Sequence, residues 1–302
     1  MYQALTADDY SRGESNRSVT QLIDSPRARI LRSDYSNIVT VDASELVWIA
    51  LGKAIHTMFE KYATGKYLPE ERLFAEVDGW TVSGAIDIQY TEGKKKAGKP
   101  LVKLADYKST SVWSVIFGGN KWAEQLNFYA WLAEQAKDVL VDKLTIIVIL
   151  KDWKQGDLEK RGSDYPQAPI LEIDVPLWSQ DERDRYVRER VRIHQDAEFQ
   201  RLTGGVLPFC TDEERWKNPS EFAVKKPANK RAMKVFSGSE EAWDYIAKQV
   251  ANPKNKIKQG DLTIEERPSI PTRCAKLYCK IAPWCDQYQA ELAREAKETD
   301  DE

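Results

Sequence analysis

Long apolar runs are missing from this chain. Nothing in its 302 residues approaches the roughly 18 consecutive apolar residues of a membrane-spanning helix, and its mean hydropathy is −0.58. Cysteine and histidine are scarce, at four and two residues. So few cysteines in a chain this long exclude a disulfide scaffold. An excess of one charge is also lacking. Lys and Arg number 45 against 48 Asp and Glu, a net charge of −3, so any polyanion site has to be local. The opening residues MYQALTADDYSRGESNRS have no basic stretch followed by an apolar one, and no secretory signal is expected. No segment repeats at a solenoid-like period. No Walker loop (GxxxxGK(S/T)) and no GxGxxG fingerprint occurs, so no nucleotide cofactor is expected.

What is present is a globular composition, with 42% apolar and 31% charged residues and ten tryptophans. Residues 18–31 are weakly helical around Pro26, and residues 1–18 read as a polar, frayed start. From Ala43 to Tyr62 the residues Val47, Leu51, Ala54, Ile55 and Met58 recur at helical spacing behind Asp42 or Ser44 as cap. The period then changes to two. WTVSGAIDIQY (80–90) and LVKLADYK (101–108) read as strands joined by a lysine-rich loop. A helix is expected over 121–137, strands over 144–150 and 170–175, and a helix over 180–201 opened by the capping box Ser179-x-x-Glu182. This order predicts an α/β fold with a mixed central sheet flanked by helices. After Leu202 the texture turns Pro- and Gly-rich over 203–270, and the boundary is placed near Cys210. Between Glu214 and Gly260, eleven basic residues stand against five acidic ones. The expected division is an N-terminal segment 1–42, a core 43–209 and a C-terminal region 210–302, mostly helical or irregular and stapled by metal.

One constellation carries chemistry. Side chains at i and i+2 of a strand share a face, so Asp106 and Lys108 of ADYKST point one way while Tyr107 points back. Asp87 of GAIDIQY, on the partner strand, is brought alongside. Carboxylates are the hard oxygen ligands that Mg²⁺ favours, a bound metal lowers the pKa of water, and a lysine steadies developing charge on phosphorus. An Asp-x-Lys pair alone is a common exposed feature of strands. Two neighbouring helices add to it. Gly52, His56 and Glu60 stack at four-residue spacing before the hairpin, and Gln125 and Tyr129 stand one turn apart after it.

With those residues on the page, GKAIHTMFEKY, SGAID, LADYKST and QLNFYAWL together resemble the RecB/AddB-like exonuclease branch of the PD-(D/E)XK nuclease superfamily over about residues 45–135. The N-terminal SVTQLIDSPRARIL and the C-terminal cysteines are most similar to phage-type recombination exonucleases. The resemblance implies a restriction-endonuclease-like core. It makes His56, Asp87 and Asp106 ligands of Mg²⁺ or Mn²⁺, Lys108 the catalytic lysine, and Gln125 with Tyr129 the accessory pair beside the scissile phosphate. Glu76 falls where some relatives carry another acid, and Ser109 and Thr110 where hydroxyls touch DNA. The activity implied is metal-dependent DNA hydrolysis, as an exonuclease on ends or single strands in recombination, repair or phage replication. The setting implied is the cytoplasm of a bacterial or phage-infected cell, with any helicase partner a separate chain. The alternatives are a nuclease fold that only binds DNA and a zinc-stabilised nucleic-acid-binding module.

All four cysteines lie late. Cys274, Cys279 and Cys285 form C-x4-C-x5-C, and 63 residues separate Cys210 from Cys274. Clustered thiolates suggest either a [4Fe–4S] cluster or tetrahedral Zn²⁺. Resemblance favours iron–sulfur, although relatives usually space the last cysteines C-x2-C-x5-C and often place the first before the core. Lys225, Lys226, Lys230 and Arg231, among aromatic residues, are candidates for gripping single-stranded DNA. Lys94, Lys95, Lys96 and Lys99 stand at the hairpin tip. His194, in a highly charged helix, is expected to face solvent. Lys151, Asp152 and Trp153 receive no role.

Overall fold

The protein's structure, a computed structural model, describes residues 13–40, 42–62, 65–118 and 121–300. It divides into two compact units. One comprises the described residues of Met1–Ile30 and Thr40–Pro208, the other Leu31–Val39 and those of Phe209–Glu302.

The first unit is an α/β fold on a six-stranded mixed sheet. It begins with the short strand β1 (Arg17–Ser18) and the helix α1 (Val19–Leu22), which Ser18 opens with a capping box closed by Gln21. The helix α2 (Pro26–Asp34) follows, interrupted from α1 where Pro26 falls. Residues 13–30 are not a separate layer: Val19 and Leu22 are fully buried in the main core, and β1 pairs with the sheet. The long helix α3 (Ala43–Tyr62) precedes the strands β2 (Tyr67–Val77), β3 (Trp80–Lys96) and β4 (Lys99–Thr110). After β4 the chain turns through α4 (Val112–Ile116) and α5 (Trp122–Ala136), then enters β5 (Leu140–Leu150) parallel to β4. A parallel pair needs such a crossover, and helices supply it. The helix α6 (Gln155–Arg161) leads to β6 (Ile170–Val175), antiparallel to β5, and α7 (Gln180–Thr203) closes the unit.

The sheet order is β1-β3-β4-β5-β6, with β2 along the other edge of β3. Helix α5 buries Leu126, Phe128, Ala130, Leu132 and Ala133 completely, the pattern of a helix enclosed on most sides. Helix α7 starts at the Ser179/Glu182 capping box and ends at Gly204, whose φ of 72° gives a left-handed cap. Its buried stripe is Arg183, Val187, Val191, His194 and Ala197. His194 is therefore enclosed and not solvent-facing as its charged helix suggests. Buried Arg27 donates from Nε to the Pro208 carbonyl (3.0 Å) and from Nη2 to that of Leu207 (2.5 Å).

Two differences from the sequence reading concern β-structure. Strand β2 has no counterpart among the expected elements, because Pro69 and the Glu-Glu-Arg run break any alternation. It pairs only with β3, and an edge is where a strand tolerates proline. The lysine-rich segment read as a loop is mostly strand. Only Ala97 and Gly98 lie outside it, at φ 50° and 82°, the two positive values a tight hairpin turn demands.

The second unit is mostly helical and irregular, as expected, but it also holds a small sheet that the sequence reading lacks. Strands β7 (Glu221–Lys225), β8 (Lys234–Phe236) and β9 (Thr263–Arg267) form an antiparallel sheet in the order β8-β7-β9. The helix α8 (Ser239–Ala251) covers it, burying Ala242 and Ile246 against Val224 and Leu262. The cysteine segment runs through α9 (Thr272–Ala275) to α10 (Asp286–Asp300). Tyr35 stacks on Trp284 at 5.7 Å within this unit. No described helix is long and apolar enough to cross a membrane.

Candidate functional site

Pairing sets up the site. Strand β3 pairs with β1 at Val82 and Ser83 and with β4 from Ile88, opposite Ala105, onward. Asp87 and Asp106 are the next residues in that register, at the point where the two strands part. The Asp87 side chain fills the break in the ladder, its Oδ2 accepting a hydrogen bond from the Tyr107 amide at 2.7 Å. Glu70 of β2 stands between Pro69, paired with Ile88, and Glu71, paired with Ile86, so it too falls level with Asp87. Three carboxylates from adjacent strands thus meet in one row. Glu70 has a φ of 48°, a left-handed conformation rare for a residue with a side chain and concentrated at functional sites.

Helix α3 brings His56. Phe59, three residues on, stacks face to face on Tyr107 (4.3 Å between ring centres, 9° between planes), and the His56 ring meets the same tyrosine edge-on at 6.0 Å. His56 Nδ1 lies 3.2 Å from Glu70 Oε1 and 3.6 Å from Asp87 Oδ2. One potential donor atom from each of His56, Glu70 and Asp87 falls within 4.8 Å of the others. Helix α5 closes the opposite side. Gln125 donates from Nε2 to Asp106 Oδ1 and to the Tyr129 hydroxyl, both at 3.1 Å. Lys108 Nζ is 2.5 Å from Asp106 Oδ2, a buried oxygen that accepts no hydrogen bond among the described residues.

These groups line a cavity of about 550 Å³ that Gly52 and Glu60 also border. Its electrostatics are those of crowded acids. Burial, then the neighbouring Asp106 charge, push the Asp87 pKa up to about 8, against the pull of His56 and the Tyr107 amide. The hydrogen bond with Glu70 raises the His56 pKa, with Asp87 adding to it and burial opposing. Tyr107, beneath them, is pushed up to about 12 by burial. The raised Asp87 pKa is the mark of that crowding, with the Asp106 charge and burial acting together. A divalent cation held here would offset the same repulsion. The carboxylates and the imidazole, with the Asp106 oxygen that pairs with Lys108, are donors of the kind that suit Mg²⁺ or Mn²⁺.

The structure therefore gathers His56, Asp87, Asp106, Lys108, Gln125 and Tyr129 around one cavity. Glu76 does not join them. It accepts a hydrogen bond from the Thr81 hydroxyl at the far end of β2, and Glu70 is the further acid at the cavity. Ser109 Oγ is buried and so is not offered to DNA, and Thr110 gives its carbonyl to the Lys151 amide at 2.9 Å. Lys225 pairs with Glu265 in the second unit, while Lys226, Lys230 and Arg231 are exposed between β7 and β8.

Cys210, Cys274, Cys279 and Cys285 carry free thiols in the second unit. Burial first, then the charges of Cys279, Cys210 and Cys285, push the Cys274 thiol up to about 12. Burial also raises Cys279, against the pull of Arg273. Gln287 holds Cys210 in place, accepting from its amide (2.8 Å) and donating to its carbonyl (2.9 Å).

No protein-family model matches the chain, and no curated protein matches it. Among solved structures it is similar to one described as the crystal structure of SSO0001. The likeness has 19% identity and a TM-score of 0.38, covering 61% of this chain and 79% of that one.

Proposed function

We propose that this chain is a divalent-metal-dependent DNA nuclease of the PD-(D/E)XK superfamily, RecB/AddB-like branch, acting as an exonuclease on DNA ends or single strands. The observation that carries the reading is the coincidence, in one cavity, of two buried carboxylates on parting strands with an amine on one of them. Asp87 and Asp106 are 7% and 1% exposed, and Lys108 Nζ stands 2.5 Å from Asp106. Ordinary surface Asp-x-Lys pairs are not desolvated in this way.

In this reading His56, Asp87 and Asp106, with Glu70, would hold Mg²⁺ or Mn²⁺, which when bound lowers the pKa of water and offsets charge on a phosphate. The chain's own residues do the positioning. Gln125 fixes the Asp106 carboxylate through Oδ1 and so aims Oδ2 and Lys108 into the cavity. The Lys108 ammonium supplies donors for a phosphate oxygen or an attacking water. Tyr129, bound to the same Gln125 amide, offers its hydroxyl beside them. A motor to drive such a nuclease along DNA would be a separate chain.

For the second unit the reading is a [4Fe–4S] cluster on Cys210, Cys274, Cys279 and Cys285. Tetrahedral Zn²⁺ on the same four thiols is the alternative, and the resemblance is what favours the cluster. The cluster would be a staple and not the site of hydrolysis.

End-labelled linear, circular and single-stranded DNA, incubated with Mg²⁺, Mn²⁺ or EDTA, tests the nuclease reading. Linear and single-stranded DNA should be degraded only with metal. Asp106→Ala and Lys108→Ala should each lower the rate by about 10²-fold or more with circular dichroism unchanged. Undiminished digestion by either variant would falsify the site.

A further inference from the structure

The nuclease reading explains the cavity but not the aromatic surface beside it. Helix α3 continues outward from His56 through Gly52 to Trp48, positions four apart that share one helix face. A Cβ built on Gly52 meets nothing within 4 Å, so the track between His56 and Trp48 is open. Trp48 is 57% exposed, with the Lys151 ammonium 4.5 Å above its ring centre. Lys151 is anchored to the strand of Asp106 and Lys108 by its amide's bond to Thr110 (2.9 Å). From the end of that strand, α4 carries Trp113, and Phe117 caps its end, the two rings stacked at 5.6 Å with 17° between planes. Arg161 lies 4.8 Å over the Trp113 ring, and Phe117 is 78% exposed.

Rings left this open are costly in a chain that could have placed polar residues there, and a cation stands on each of the two indoles. Protein partners are met by apolar grooves with charges pushed to the rim. Rings interleaved with cations suit a polymer of flat bases on a phosphate backbone. Bases inside a duplex cannot reach such rings, whereas unpaired ones can. From Trp48 to His56 is about 12 Å along the helix, long enough for more than one nucleotide.

We propose that Trp48 and Phe117 form a base-stacking subsite for single-stranded nucleic acid, flanked by Lys151 and Arg161 as phosphate partners. It admits unpaired ends to the cavity and leaves duplex outside. The proposal rests on the nuclease reading for what happens to the strand afterwards, and not for the binding itself.

Fluorescence anisotropy in EDTA, where no turnover occurs, separates the two. The probes are a labelled oligothymidylate and a duplex of equal length. Trp48→Ala and Phe117→Ala should each weaken binding of the single strand by about 5- to 50-fold and change duplex binding less than twofold. Trp48→Phe should restore most of the loss, which a fold defect would not allow. Single-strand affinity unchanged by both alanine variants overturns the subsite. So does an equal loss on duplex, or a change of oligomeric state with DNA affinity intact, which would assign the rings to a second copy. If the wild type binds single strands through these rings yet digests no DNA with Mg²⁺ or Mn²⁺, the nuclease reading fails and the subsite stands.

Discussion

Glu70 and Glu76 lie on the same strand but in different chemistry. Glu70 sits 3.2 Å from His56 beside Asp87, whereas Glu76 serves the Thr81 hydroxyl at the strand's other end. Glu70→Gln should weaken Mn²⁺ binding about 10- to 100-fold by isothermal titration calorimetry, and Glu76→Gln should leave it unchanged. A second residue-level consequence concerns pH. His194 accepts from Arg29 at Nδ1 (2.9 Å) and donates from Nε2 to the Leu22 carbonyl (3.1 Å), so it is held neutral. Burial, then the charges of Arg29 and Arg190, push its pKa from 6.5 down to about 3. Below 6.5 the unfolded chain binds this proton and the folded chain does not until about 3. Stability is therefore whole above that window and falls as pH drops through it, by at most about 1.4 kcal/mol per pH unit. Urea midpoints between pH 7 and 4 should follow this slope, and His194→Gln should flatten it. His56, Asp87, Asp106 and Lys108 could be picked out in the sequence because strand and helix periods place them on shared faces. Glu70 could not, since its position depends on an unusual backbone angle, and neither could the burial of His194, whose helix is polar on average and apolar on one stripe.

At the scale of elements, β3 is shaped by what it leaves out. A Cβ on Gly84 would come within 2.7 Å of the Tyr129 ring and 3.1 Å of Leu132, so the absent methyl is what lets α5 lie close on the strand. Gly84→Ala should cost about 1–3 kcal/mol, read as a lowered urea midpoint, and should displace Tyr129 from Gln125. The helices α3, α5 and α7 and the buried strand β5 were legible from their apolar period, with a capping box at α7, whereas the helices α4, α6, α8 and α10 were not expected. Strand β2 and the lysine-rich ends of β3 and β4 were not. A two-stranded ribbon with solvent on both faces has no alternation to read, and its residues 91–96 look like a loop by composition. What locates the turn is backbone geometry at Ala97 and Gly98, of which only the glycine leaves a trace in sequence.

For the molecule as a whole, the cysteines make the claim that is easiest to see. Protein purified without oxygen should be brown and carry iron and acid-labile sulfide in equal amounts. Cys274→Ser should lose both and lower the thermal midpoint, and a colourless wild type with stoichiometric zinc would replace the cluster reading. The unit boundary also has a covalent side. The polypeptide passes from one unit to the other three times, after Ile30, after Val39 and after Pro208. A cut at the last of these does not yield two modules: residues 31–39, with the tyrosine that stacks on Trp284, stay behind on the wrong fragment. Neither unit can thus be gained or lost by simple fusion or deletion at one end of the gene. The two would have to be engineered as a single woven chain.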